Sequence, residues 1–364
     1  VTELVIARGV CHALFAYDVG HAIDLEAAER LLVTAAERQT IKQKRRAPAY
    51  FEYQPAPLRV SGEAEPLEIM PGSHTLPGCE LTLYDFGAVS VSYAVPLGGP
   101  LADLPRLSYA LYGNETLRAD SRRQLERQLD ALAGAVTRPH LAALVEDYAI
   151  FQIEAFTAPC GPSVLWTSEA ETVARTLRAE VRPLSDQERA DVIASRLSFG
   201  TADAAFIAAD AALLFDSEPD DLRAVIEFAN TQLLEMRYLD AQLDAALERA
   251  YALLLPARGF LGRWRNRPAP ALGELALLQL DGAILFEQVT NALKLVGEQY
   301  LSRVYGLASQ HFHLAEWDAS IRRKLATLDS MYSKTADRAA TRRMELLEWI
   351  IIVLIALSIL LSIG

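Results

Sequence analysis

The sequence predicts an α+β protein: a mixed α/β N-terminal half with hairpins, then a long antiparallel helical bundle ending in one transmembrane helix. Three patterns carry this expectation. Over residues 81–95 apolar and polar side chains alternate with the period of a half-buried strand. Over 222–254 apolar residues recur in alternating steps of four and three, an unbroken heptad seam of 33 residues. Over 346–363, 13 of 18 residues are Leu, Ile or Val, and the sole charge is Glu348. The expected domains are 1–215, 216–343 and 344–364.

Taken in order, Asp24 caps a helix over 25–38 whose Leu25, Ala28, Leu31 and Leu32 fall at helical spacing. A basic break at 42–46 leads into proline-rich sequence over 48–77. Next, Leu81 and Leu83 alternate with Thr82 and Tyr84, and Asp85-Phe86-Gly87 supplies turn chemistry. Val89, Val91, Tyr93 and Val95 then share a face opposite Ser90 and Ser92, completing a hairpin with one face buried. A helix over 121–136 and a strand over 148–156 follow. Ser185 with Glu188 three residues on has capping-box spacing. Residues 206–215 make a second hairpin around Ala209-Asp210. After Ser217-Glu218-Pro219 the pattern is helical throughout. The heptad helix, which has coiled-coil character, ends at Pro256; a second helix covers 272–309; a third starts near Leu314 and continues into the apolar tail. Short connections between helices this long imply an antiparallel bundle.

The tail spans roughly 27 Å as a helix and favours a bilayer by roughly 5 kcal/mol on insertion scales. Its expected anchor residues are Trp349, Ile350, Ile351, Ile352, Leu354, Leu357 and Leu360. Arg338, Arg342 and Arg343 precede it and no basic residue follows. The positive-inside rule then makes this a tail-anchored, single-pass protein of the cytoplasmic (inner) membrane, its N-terminal body in the cytoplasm. The N-terminus lacks the basic start and long apolar core of a signal peptide. Cys11, Cys79 and Cys160 are odd in number and far apart, which suits reduced thiols. A chain of 364 residues, 23% charged and 51% apolar, suits about two domains and excludes wholesale disorder. The net charge of −12 argues against nucleic acid or anionic lipid binding over the whole surface, so such contacts need a local basic patch.

Four stretches, LTLYDFGAVSVSY at 81–93, ANTQLLEMRYLDAQLD at 229–244, NALKLVGEQYLSRVY at 291–305 and RRMELLEWIIIVLI at 342–355, together resemble the YagE/RMND family. That family is named for "required for meiotic nuclear division" and is a domain of unknown function. The resemblance covers most of the chain in the expected order, and the LEWIII ending is its most specific part. It implies a mixed α/β front, a helical back half and a C-terminal anchor. Its mitochondrial relatives sit at the inner membrane, form oligomers and support organelle translation. It implies no enzymatic activity.

The connection at 256–271 carries Arg258, Arg263, Arg265 and Arg267 beside Phe260 and Trp264, with no acidic residue. In an antiparallel bundle it lies near the headgroups, where basic residues and Trp favour contact with lipid. Interleaved basic and aromatic residues also suit RNA, and a solvated connection is the plain alternative. Asp240 in the seam, with Asn230 and Arg237 on nearby turns, forms either a buried set that fixes helix register and oligomer state or a rim pair between Asp240 and Arg237. No metal-ligand spacing, phosphate loop or nucleophile elbow is present, so neither catalytic residues nor cofactors are expected. The expected function is a membrane-anchored, non-catalytic scaffold with the lipid bilayer, a second copy of itself and a further protein as partners. The alternatives are a membrane tether for ribosomes or RNA and an enzyme with its site in the N-terminal half.

Overall fold

A computed structural model describes residues 3–31, 36–38, 55–217, 220–254 and 299–363, with positions 276, 280 and 283. The basic break at 42–46, the connection at 256–271 and most of the expected second long helix lie outside the described residues. The strands in chain order are β1 (Val5–Asp18), β2 (Ala22–Ile23), β3 (Ala36–Arg38), β4 (Leu58–Gly62), β5 (Glu68–Met70), β6 (Ser73–His74) and β7 (Cys79–Leu83). They continue with β8 (Ala88–Pro100), β9 (Val136–Thr137), β10 (Val145–Phe156), β11 (Arg196–Leu197), β12 (Ala204–Ile207) and β13 (Ala211–Phe215). The helices are α1 (Leu25–Leu31), α2 (Leu104–Leu111), α3 (Glu115–Leu132), α4 (Ala170–Leu177), α5 (Asp186–Ala194), α6 (Asp220–Leu254), α7 (Gln299–His311) and α8 (Leu314–Ile363).

A 9-stranded sheet in the order β11-β12-β13-β10-β1-β8-β7-β4-β3 organises the N-terminal part. Its pairs are antiparallel except β10 with β13. At its centre β1 pairs along most of its length with both β8 and β10. Cys11, Ala13, Phe15 and Tyr17 point to one face of β1, Leu14 and Ala16 to the other, and all are buried. A strand covered on both sides shows no clean polar alternation, which is why its sequence reads as a broken apolar run.

Both expected hairpins form, as β7–β8 and β12–β13. At the first turn Gly87 has φ +100, and a Cβ there would lie 1.9 Å from the Gly20 carbonyl oxygen, so the turn requires glycine. The Asp24 carboxylate accepts the Glu26 and Ala27 N–H groups at the start of α1, which ends at Leu31, earlier than the expected helix. Ser185 accepts the Glu188 N–H at α5. The helix expected over 121–136 begins earlier, as α3, where the Asn114 side chain accepts the Leu117 N–H. The three cysteines are free, and burial pushes the Cys79 thiol up to about 11.

One face of the sheet is apolar. Phe15, Tyr93, Phe151 and Leu213 share a single core with Leu107 of α2, Leu125 of α3, Val173 of α4 and Val192 of α5. By compactness the chain divides into a unit of Val1–Tyr238 with Gln288–Ala315 and a unit of Leu239–Glu287 with Glu316–Gly364. The sheet and the first part of α6 belong to the first. In the second, Lys324 of α8 pairs with Asp240 and Asp244 of α6, and Leu243, Ala250, Ile321 and Leu328 are buried.

The expected fold class, a mixed α/β N-terminal half with hairpins and then a long antiparallel helical bundle ending in one transmembrane helix, is corrected: the chain is mixed α/β with a large N-terminal sheet and helices, and a bundle ending in a transmembrane helix is not found among the described residues. Among the described residues no helix is long and apolar enough to cross a membrane. The backbone stays helical to Ile363, but the described apolar side chains near that end are Trp349, Ile350, Ile351, Ile352, Leu354 and Ile355. That no such helix is found among the described residues overturns the transmembrane and tail-anchored expectation.

Candidate functional site

The second face of the sheet sets buried polar and charged side chains among apolar ones such as Leu14, Ile150 and Leu214, and α6 closes over it. Register sets Arg59, Thr82, Ser90, Ala16 and Glu146 side by side across β4, β7, β8, β1 and β10. Above them α6 presents Arg223, Glu227, Thr231 and Glu235, each one helical turn beyond the last and all buried. This face is as enclosed as the apolar one but carries buried charge.

Its first cluster is ionic. Arg223 donates from Nη2 to Glu80 Oε1 at 3.1 Å, and Arg59 donates from Nη1 to Glu80 Oε2 at 3.4 Å. Arg223 Nη1 lies 3.1 Å from His12 Nδ1, and His12 also hydrogen-bonds Gln152. Burial first, then the Arg223 charge, lower the His12 imidazole to about 3, so it stays neutral and accepts at Nδ1. Glu227 is 1% exposed and faces Arg59 Nη2 at 3.8 Å, too far for a hydrogen bond. Both Glu227 oxygens, Asn230 Nδ2, Thr82 Oγ1 and Ser90 Oγ have no hydrogen-bonding partner among the described residues. Each such buried group costs about 1–3 kcal/mol of desolvation, so this layer is not arranged for stability.

The second cluster lies at the end of β1. Asp18 and Glu235, 1% and 3% exposed, hydrogen-bond each other. His140 Nε2 sits against Asp18 Oδ1, and its ring stacks on Tyr238 at 5.6 Å between centroids. The Tyr238 hydroxyl lies 2.9 Å from the same nitrogen. Burial, then the charge of Asp18, hold Glu235 well above the usual carboxyl range; burial also raises Asp18. The hydrogen bond to Asp18 raises His140. Nearby Glu146 pairs with Arg237, yet burial carries its carboxyl up to about 7. Together these groups can hold and exchange protons within an enclosed layer.

The residues singled out from sequence separate. Asn230 is buried in the polar layer and Arg237 meets Glu146, whereas Asp240 bonds Lys324 and Ser320 in the other compact unit. Trp349, Ile350, Ile351, Ile352 and Leu354 are exposed on α8; the side chains of Leu357 and Leu360 lie outside the described residues, as do Arg258, Arg263, Trp264, Arg265 and Arg267. No group of three His, Cys, Asp or Glu side chains among the described residues is arranged to hold a metal ion. Sequence reasoning missed His12, Asp18, Arg59, Glu80, Glu227 and Glu235. A signal was present on α6, where 223, 227, 231 and 235 are polar at one-turn spacing beside the apolar seam.

The fold and layer define an α/β sheet protein whose charge-bearing face is covered by one long helix. The chain belongs to the family described as "Uncharacterized protein MJ0711, N-terminal domain", matched over residues 8–221. It is similar to the uncharacterized protein MJ0711 of Methanocaldococcus jannaschii, 22% identical over 219 residues, which are 58% of this chain and 66% of that protein. The chain thus covers slightly less than two thirds of that relative's length. No solved structure matches. The family match takes in the sheet side of the polar layer and stops before Arg223, Glu227 and Glu235.

Proposed function

We propose that this chain is a non-catalytic scaffold that works at the surface of a lipid bilayer. The observation that carries the reading is the far end of α8, where Trp349, Ile350, Ile351 and Ile352 are 66%, 51%, 54% and 54% exposed. Consecutive helical positions point about 100° apart, so four of them surround the helix. A partner helix covers one stripe; a helix apolar on all sides calls for an apolar medium. Arg338, Arg342 and Arg343, just before this run in sequence, support a cytoplasmic face of the membrane.

The non-catalytic part draws support from the polar layer. Asp18, Glu227 and Glu235 are at most 3% exposed, and a general acid or base must come within hydrogen-bond reach of its substrate. Self-association belongs to the same reading and would use outer faces of α6 and α8, since Lys324 already joins these helices through Asp240. The finer kinship, with the YagE/RMND group, rests on its four stretches; the one at 81–93 falls inside the family match and the others lie beyond it.

Flotation with phosphatidylcholine vesicles tests the proposal. The full chain is expected to rise with the vesicles, and the triple variant Ile350→Ser, Ile351→Ser, Ile352→Ser to remain below. A full chain that stays below, or a variant that rises equally, overturns it.

A further inference from the structure

We propose that Asp18, Glu235 and His140 form a proton-operated latch holding α6 on the sheet, closed while the Glu235 carboxyl keeps its proton and loosened as that proton leaves. The pair is a contact between two buried carboxyl groups, one on β1 and one on α6. Such a contact is attractive only while one member is protonated; two buried carboxylates repel. Glu235 is the member that keeps the proton, because Asp18 has His140 against its other side. Besides His140, from the loop before β10, His21 faces Asp18 from the turn after β1. The arginines on this part of α6 are engaged elsewhere, Arg223 with Glu80 and Arg237 with Glu146. His140 is 38% exposed at its side chain and so links the enclosed pair to solvent protons.

The sign is the same for all three groups. Glu235, Asp18 and His140 are each raised from their ordinary values, so each binds its proton more tightly when α6 is docked. Each contribution is complete below the free value and is lost as pH rises through the docked value. The hold on α6 therefore weakens from the ordinary Glu value of 4.5 upward, and further above the ordinary His value of 6.5.

Amide hydrogen exchange over residues 230–238 of the full chain, corrected for intrinsic rates, reads the latch. Protection is expected to fall with rising pH by up to about tenfold per unit, the slope of one proton. Glu235→Gln keeps a donor towards Asp18 and is expected to lose the Glu235 share of this fall, keeping only the weaker pH dependence that Asp18 and His140 contribute. Wild-type protection that does not change with pH, or a Gln variant that falls like the wild type, overturns the proposal. Infrared difference spectra, wild type minus Glu235→Gln, give a second reading. The protonated-carboxyl C=O band should be present at neutral pH and fade together with protection as pH rises; its absence at neutral pH also overturns the latch. None of these outcomes depends on lipid binding.

Discussion

The two faces of the 9-stranded sheet are both covered by helices, yet only one of them buries a network of charged side chains. On the face towards α2–α5, Phe15, Tyr93, Phe151 and Leu213 join one continuous hydrophobic core. On the face beneath α6, Arg59, Glu80, Glu146 and Asp18 meet Arg223, Glu227, Arg237 and Glu235. The first face accounts for stability through apolar burial, at about 25 cal/mol per Å² removed from water. On the second, ion pairing offsets a desolvation cost that apolar side chains would not incur. A protein with one sufficient core has freedom to make its other layer conditional, and the proton-binding groups lie in that layer.

The contrast can be broken by substitution. Phe151→Ala on the apolar face should cost about 3–5 kcal/mol, from lost burial plus the cavity left behind, read by denaturant unfolding. A cost below about 1 kcal/mol would mean that this face is not the principal core. On the face under α6 Arg59→Met should be destabilising by about 3 kcal/mol, because it removes the guanidinium that faces the enclosed Glu227 carboxyl. Adding Glu227→Leu should recover most of that loss and can exceed the wild type, measured as a double-mutant cycle in the same unfolding assay. A double variant as unstable as Arg59→Met alone would show that the pair stabilises the layer after all. The smallest effect is expected at Ser90→Ala, within about 1 kcal/mol of wild type, since the buried hydroxyl has no hydrogen-bonding partner to lose among the described residues. A larger loss by thermal unfolding would reveal a partner for it.

Legibility in sequence follows the same division. The hairpin at 81–95 could be read because Val89, Val91, Tyr93 and Val95 alternate with residues of different polarity. The length of β1 could not, because strands pair with it on both edges and helices cover both its faces. The seam of α6 was visible as a heptad pattern, but not what covers it: its first part lies in the sheet unit and its second part adjoins α8. Asp240 and Arg237 are three residues apart and able to pair, yet each found a stronger partner on another element, Lys324 and Glu146. The polar layer was the least legible, for Asp18 and Glu235 are 217 positions apart and nothing local relates them.

By itself the sequence determined the periodic elements: the β7–β8 hairpin, the helix caps at Asp24 and Ser185, the continuous α6, and the aliphatic run near the end of α8. These depend on side-chain period and on backbone geometry within a few residues. Tertiary structure alone decided that one sheet face would carry buried charge, that His12 would be neutral, and that the Asp18 and Glu235 carboxyl groups would meet. Those outcomes come from burial and from charges brought together across the fold, and the energy of a charge depends on its surroundings rather than on its place in the chain.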